Sequence, residues 1–171
     1  MSTRIAERTQ APPSRRWIAD QAHTIVEFYV KSFWGLTTVH GRFTRCEGWY
    51  DDGPDGGKIV LEIDAESVET GNATRDRHLR SAEFLNADRH ATIRFTSSAV
   101  PAADGTLHLT GALAAAGTSV PLTLDATLLE REGELQIEAR PRVDHRAFGM
   151  GSGPLGMIRG PVDVHVMASL R

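Results

Sequence analysis

Seven histidines, one cysteine and a run of charged side chains between Thr70 and Ser81 are the groups in this chain that could do chemistry. The histidines are His23, His40, His78, His90, His108, His145 and His165, and none stands at the His-x-x-x-His spacing that sets two imidazoles on one helical face for zinc. Cys46 is alone, so no thiolate cluster can form, and no metal site is expected. Asp76-Arg77-His78 and Asp144-His145 put an acid beside an imidazole, but neighbours along a helix or strand point in different directions. A catalytic site would therefore have to be assembled across the fold, with His78 working with Asp76 or Arg75. The preferred reading of Arg75, Asp76 and His78 is a hydrogen-bonded brace that fixes a helix to the rest of the protein. The glycines near Asp55 and Gly151 do not lie between a strand and a helix, so no phosphate-cradling loop is present, and no serine occupies a nucleophile elbow.

The element that positions this charged run is a short helix. Gly71-Asn72 marks a turn, and Asn72 can cap the helix by accepting a hydrogen bond from a free N–H of its first turn. Asp76 precedes Arg80 by four residues, the favourable acid-before-base order. Ser81 is placed to cap a second short turn, whose Phe84 and Leu85 turn apolar bulk back toward the rest of the chain.

Almost everything else alternates. Val26, Phe28 and Val30 oppose Glu27, Tyr29 and Lys31; Val39, Gly41 and Phe43 oppose His40, Arg42 and Thr44 in a strand expected over 36–50. Asp51 to Gly57 is a turn cluster, followed by Ile59, Leu61 and Ile63 on one face. Beyond the helix, Ile93 and Phe95, then Leu107 and Leu109, then Val120, Leu122, Leu124, Ala126 and Leu128 repeat the pattern. Leu135, Ile137 and Ala139 follow the Glu132-Gly133 turn, and Val162, Val164, Val166 and Ala168 complete the series. These runs predict an all-β fold of about eight antiparallel strands with one short helical insertion near residues 72–85. Several runs exceed the usual strand of about five or six residues, and long open edges invite aggregation. A closed, elongated barrel is the expected answer, enclosing either a packed core or one small ligand.

The totals agree with one soluble domain. At 171 residues the chain can bury a single core, and no apolar run reaches the length of a membrane span. A net charge of −3 argues against a nucleic-acid partner, which needs a basic surface. Residues 1–16 carry four arginines and Pro12-Pro13 without an apolar block, and read as a disordered arm ahead of a barrel domain over 17–171. Without an export signal the expected compartment is the cytoplasm. Gly149, Gly151, Gly153, Pro154 and Gly156 surround Met150 and Met157 in a loop that reads either as a movable mouth or as a surface connector.

Ala22-His23-Thr24, the run 35–43, the stretch Ser67 to Leu85, Ile93-Arg94-Phe95-Thr96-Ser97 and Arg146-Ala147-Phe148-Gly149 together resemble the YceI-like family from Trp17 onward. The most specific piece is 70–81. The resemblance implies a lipocalin-like barrel that binds a long isoprenoid chain, such as a polyprenyl lipid or the tail of a quinone, as carrier, storage or sequestering protein. It implies no reaction and no required cofactor. The chain departs from the family in lacking an export signal and in carrying Ser32 where a histidine is usual. The wall of the expected apolar cavity comprises Val26, Phe28, Val30, Val39 and Phe43; Ile59, Leu61 and Ile63; Phe84, Ile93 and Phe95; Leu122 and Leu124; and Phe148, Met150, Met157 and Val164. Arg75 and Asp76 could instead meet a polar head group, because a guanidinium donates to a quinone carbonyl or a phosphate. An enzyme acting in the same cavity through His78, a core-filled interaction protein and association as a homodimer stay open.

Overall fold

A computed structural model describes residues 14–32, 35–151, 153 and 158–171. Its elements are β1 (Arg15–Ser32), β2 (Thr37–Phe43), β3 (Cys46–Asp52), β4 (Gly57–Asp64), β5 (Val68–Glu69), α1 (Ala73–Arg80), β6 (Thr92–Pro101), β7 (Thr106–Ala115), β8 (Thr118–Arg131), β9 (Glu134–Ala139), β10 (Arg142–Val143) and β11 (Ile158–Leu170). Antiparallel pairing runs β1-β3-β4-β6-β7-β8-β9-β11 and returns to β1, closing an eight-strand barrel. At the seam the Ile18 N–H donates to the Arg171 carbonyl and the Arg171 N–H to that of Ile18, at 2.8 and 2.9 Å. Closure satisfies the backbone groups that an open sheet would leave at its edges.

The alternation read from the sequence sets the inside of the barrel. Leu107 and Leu109 are buried while His108 and Thr110 are exposed, and Ile93 is buried beside exposed Arg94. Two hairpins are tied by the turn chemistry their length demands. Ala116 and Gly117 (φ 49° and 81°) join β7 to β8, and Glu132 and Gly133 (φ 52° and 83°) join β8 to β9, each pair left-handed at both positions as a two-residue turn requires.

Two boundaries differ from expectation. Arg15 and Arg16 belong to β1, because Arg16 pairs with Asp51 across β3 through a two-pronged guanidinium–carboxylate contact; residues 1–13 of the expected arm lie outside the described residues. The strand expected over 36–50 is two strands, broken at Thr44-Arg45. There the buried Ser67 replaces a sheet partner: its carbonyl accepts from the Thr44 N–H at 3.1 Å and its hydroxyl oxygen from the Arg45 N–H at 3.1 Å.

One apolar cluster gathers around Trp17. Trp17, Tyr50, Leu107, Leu109, Leu135 and Leu170 meet there with Ala99 and Ala126. Burial, with Asp52 close by, pushes the Tyr50 phenol up to about 12, so it stays neutral. A second cluster around Val26, Ile63, Ile93, Ala115 and Phe148 occupies the helix-side part, with Cys46 buried in it. Burial raises the Cys46 thiol as well, which keeps it protonated and unreactive.

Candidate functional site

Between these clusters lies a cavity of about 260 Å³. Its wall is built strand by strand from the inward faces. β1 supplies Val26, Phe28 and Val30, β2 supplies Phe43, and β4 supplies Ile59, Leu61 and Ile63. Ile93 and Phe95 come from β6, Leu122 and Leu124 from β8, and Val164 from β11. Phe84, Phe148 and Met150 reach in from the connecting segments. The strand residues were expected from the alternation, and Phe84, Phe148 and Met150 from their apolar side chains in the turn after the helix and near the glycine-rich loop. Val39 is not among the described lining residues. At its position β2 has only β1 as a neighbour, since β5 pairs with Arg42 and Phe43 alone, so Val39 sits on a projecting part of the sheet. Met157 lies outside the described residues.

Other lining residues were not singled out beforehand. Leu109, Ile137 and Val166 follow from the same period-two faces, whereas Trp49, Leu79 and His145 carry no local signal. The helix takes part through Leu79, held against the turn that follows by the Leu85 N–H donating to the Leu79 carbonyl at 3.0 Å.

The wall has one weak place. β9 pairs with β8 only from Ala126 to Arg131, so the Thr118–Asp125 part of β8 is hydrogen-bonded on one side, to β7. Pro121, which has no N–H to give a second neighbour, falls in this stretch. The space between β8 and β11 is covered instead by Pro141, by Val143 of β10 and by the short 3₁₀ turn His145–Phe148, which packs against β8. Asp144 caps that turn by accepting from the Arg146 N–H at 3.0 Å, and Gly149 ends it in the left-handed region at φ 74°. The Gly151 N–H then donates to the Glu83 carbonyl at 2.9 Å, tying this covering segment to the turn after the helix.

The helix itself is held by a closed set of hydrogen bonds. Asn72 caps it as expected, accepting from the Arg75 N–H at 2.9 Å. Buried Asp76 accepts from both the N–H and the hydroxyl of Thr70, whose hydroxyl oxygen and carbonyl accept in turn from Arg75 at 2.7 and 2.9 Å. Asp76 is thus turned to Thr70 rather than to Arg80. Arg80 reaches back to the carbonyls of Glu66 and Val68, at 2.9 and 2.7 Å, and is the residue that docks the helix on the barrel. Ser81 closes α1 instead of capping the next turn: its hydroxyl donates to the His78 carbonyl at 2.6 Å. His78 stands apart from the Arg75–Asp76 set, bonded to Glu83 at 2.9 Å and edge-on to Phe84. None of Arg75, Asp76 and His78 is among the residues lining the cavity.

Among the described lining residues there is no lysine or arginine. Glu27 and His145 interrupt a largely apolar wall, and His145 is 6% exposed with no hydrogen-bond partner for either ring nitrogen among the described residues. Burial holds its imidazole below the usual value, against the pull of the Asp144 carboxylate. No group of three or more metal-binding side chains occurs among the described residues. No helix among them is long and apolar enough to cross a membrane.

Comparison with known proteins places this geometry in company. The family model of the YceI-like domain matches residues 17–170. A UPF0312 protein of Pectobacterium atrosepticum is 36% identical over 110 residues, covering 63% of this chain and 57% of that protein. A protein YceI of Salmonella arizonae matches with the same identity and coverage. The match thus spans little more than half the length of these curated relatives. Among solved structures, Burkholderia cenocepacia BcnA superposes with a TM-score of 0.80 at 18% identity, covering 88% of this chain and 98% of its own. A polyisoprenoid binding domain from Saccharophagus degradans, implicated in plant cell wall breakdown, superposes with a TM-score of 0.77 at 14% identity, covering 93% and 99%. At these identities the likeness is one of fold.

Proposed function

The chain belongs to the YceI-like domain family, and from that premise we propose that it binds the tail of an isoprenoid lipid inside the barrel, as a carrier, store or sequestering protein. The observation that carries this reading is the closed barrel around an apolar cavity. One isoprene unit offers five carbons, and burying them contributes roughly 3–4 kcal/mol at about 0.8 kcal/mol per methylene before ordering costs. The cavity is slightly smaller than the roughly 300–1,000 Å³ of pockets that enclose drug-sized ligands. It holds the leading part of a tail, and a longer chain requires the covering segment between β8 and β11 to move aside. Phe28, Phe43, Phe95 and Met150 suit such a guest, since flat rings and a flexible thioether adapt to a methyl-studded chain. The like-folded Saccharophagus degradans protein is a polyisoprenoid binding domain, which supports the same choice.

Native mass spectrometry of the purified protein, followed by organic extraction, tests the proposal. A co-purified prenyl species, or uptake of an added farnesyl-substituted benzoquinone, is the expected result. A protein that is recovered empty and takes up neither this quinone nor its hydrocarbon analogue overturns it.

A further inference from the structure

We infer that His145 receives the oxygen-bearing head of the ligand, and that this head is neutral, a carbonyl or a hydroxyl rather than a phosphate. The inference rests on the cavity being a lipid site, and it adds what the apolar wall alone does not specify.

A buried polar group without a partner is costly, so one that persists in a folded protein needs a reason. His145 has two such atoms, Nδ1 and Nε2, on a side chain more than nine-tenths buried, and the ring is part of the cavity wall. Its own turn supplies no partner: Asp144 is engaged by Arg146, through the backbone N–H and through both prongs of the guanidinium at 3.0 Å. From β11, the backbone of Gly160 comes close enough to favour the charged ring without completing a hydrogen bond. The imidazole is left neutral, with one N–H to give and one lone pair to accept. A quinone carbonyl can take the first; a hydroxyl can use either.

The charge around the ring selects against phosphate. A diphosphate entering here would be desolvated beside a neutral imidazole, with no lysine or arginine among the described lining residues to meet it. The position fits the route as well. His145 lies on the 3₁₀ turn that covers the weak place between β8 and β11, so a tail can occupy the apolar interior while its head stays at the covering segment.

Affinity measurements on the full chain separate this inference from the reading beneath it. The probes are a farnesyl-substituted benzoquinone, the corresponding farnesyl hydrocarbon without oxygen, and farnesyl diphosphate. In His145→Leu the quinone should bind about tenfold more weakly, while the hydrocarbon stays within about twofold of the unaltered protein. In His145→Gln, which keeps a donor, most of the quinone affinity should return. The unaltered protein should bind the diphosphate more weakly than the quinone. Equal losses for quinone and hydrocarbon in His145→Leu, no loss for either, or a diphosphate bound more tightly than the quinone each overturn the assignment while leaving the lipid cavity standing. Failure of the unaltered protein to bind both quinone and hydrocarbon overturns the cavity reading itself, and the assignment with it. Imidazole ¹⁵N spectra of the unaltered protein give a check that needs no variant. The His145 nitrogens should shift on adding quinone but not hydrocarbon, and unmoved resonances with bound quinone refute the contact.

Discussion

Gly41 faces Phe28 across the β1–β2 pair, and a methyl group at Gly41 would collide with that ring. An added Cβ would lie 2.6 and 2.8 Å from Cε1 and Cε2, and closer still to Cζ. Carbon atoms at rest sit about 3.5–4.0 Å apart, so Gly41→Ala must move the ring by roughly 1 Å or more. Phe43, with its ring centroid 5.7 Å away, stands on one side, and the cavity that Phe28 lines is on another. The ring has room mainly inward. Overpacking of this kind costs about 1–3 kcal/mol of stability, against the gain of up to about 1 kcal/mol that alanine usually brings over glycine in a strand. An intruding ring takes the space of one or two ligand methylenes, about 1–2 kcal/mol, which weakens binding of the farnesyl quinone about five- to thirtyfold. Urea unfolding and quinone titration, both followed by tryptophan fluorescence, read the two effects. Phe28→Ala removes the obstacle, so adding Gly41→Ala in that background should cost less than about 0.5 kcal/mol. An equal cost in both backgrounds refutes the collision. Lost stability with unchanged affinity refutes the role of Phe28 as a wall of the ligand site.

The helix anchors and the covering turn give further tests. Asp76→Ala leaves the Thr70 N–H and hydroxyl without their acceptor and should lower unfolding free energy by about 1–3 kcal/mol in urea titrations. Arg80→Ala removes two hydrogen bonds to the Glu66 and Val68 carbonyls, and should speed amide exchange in 73–80 while leaving β6 to β8 protected. His145 has a folded-state pKa below its ordinary value of 6.5, so the unfolded chain binds the extra proton first as pH falls. Stability should therefore decline below about pH 6.5, and His145→Gln should flatten that part of the urea midpoint profile. A Cβ at Gly151 would lie 2.9 Å from Glu83 Cγ. Gly151→Ala should disturb the Glu83–His78 contact and alter the rate of quinone exchange in stopped flow; an unchanged rate counts against a movable cover.

The barrel was legible because its interior obeys one rule. Val120 through Leu128 and Leu135 through Ala139 alternate with polar residues, and each face turned out where period two put it. The break at Thr44-Arg45 was not legible, because it depends on Ser67, more than twenty residues away in sequence. Arg16 joined β1 through Asp51, again a distant partner that no local pattern announces. In the cavity, Phe28, Phe43, Phe95 and the Ile positions followed from the strand faces, while Leu79 entered through the docking of the helix by Arg80. His145 was visible only as one of two acid–imidazole neighbours. Its interest comes from what the fold withholds from it, a hydrogen-bond partner, and a sequence does not display a missing contact.

The pairing of β1 with β11 has a consequence for how the protein is made. Residues near 18 and near 171 must find each other before the tube exists, so a chain still emerging from the ribosome carries an unsealed sheet with its greasy lumen exposed. Zippering of that last join is then the step that takes the lumen out of water.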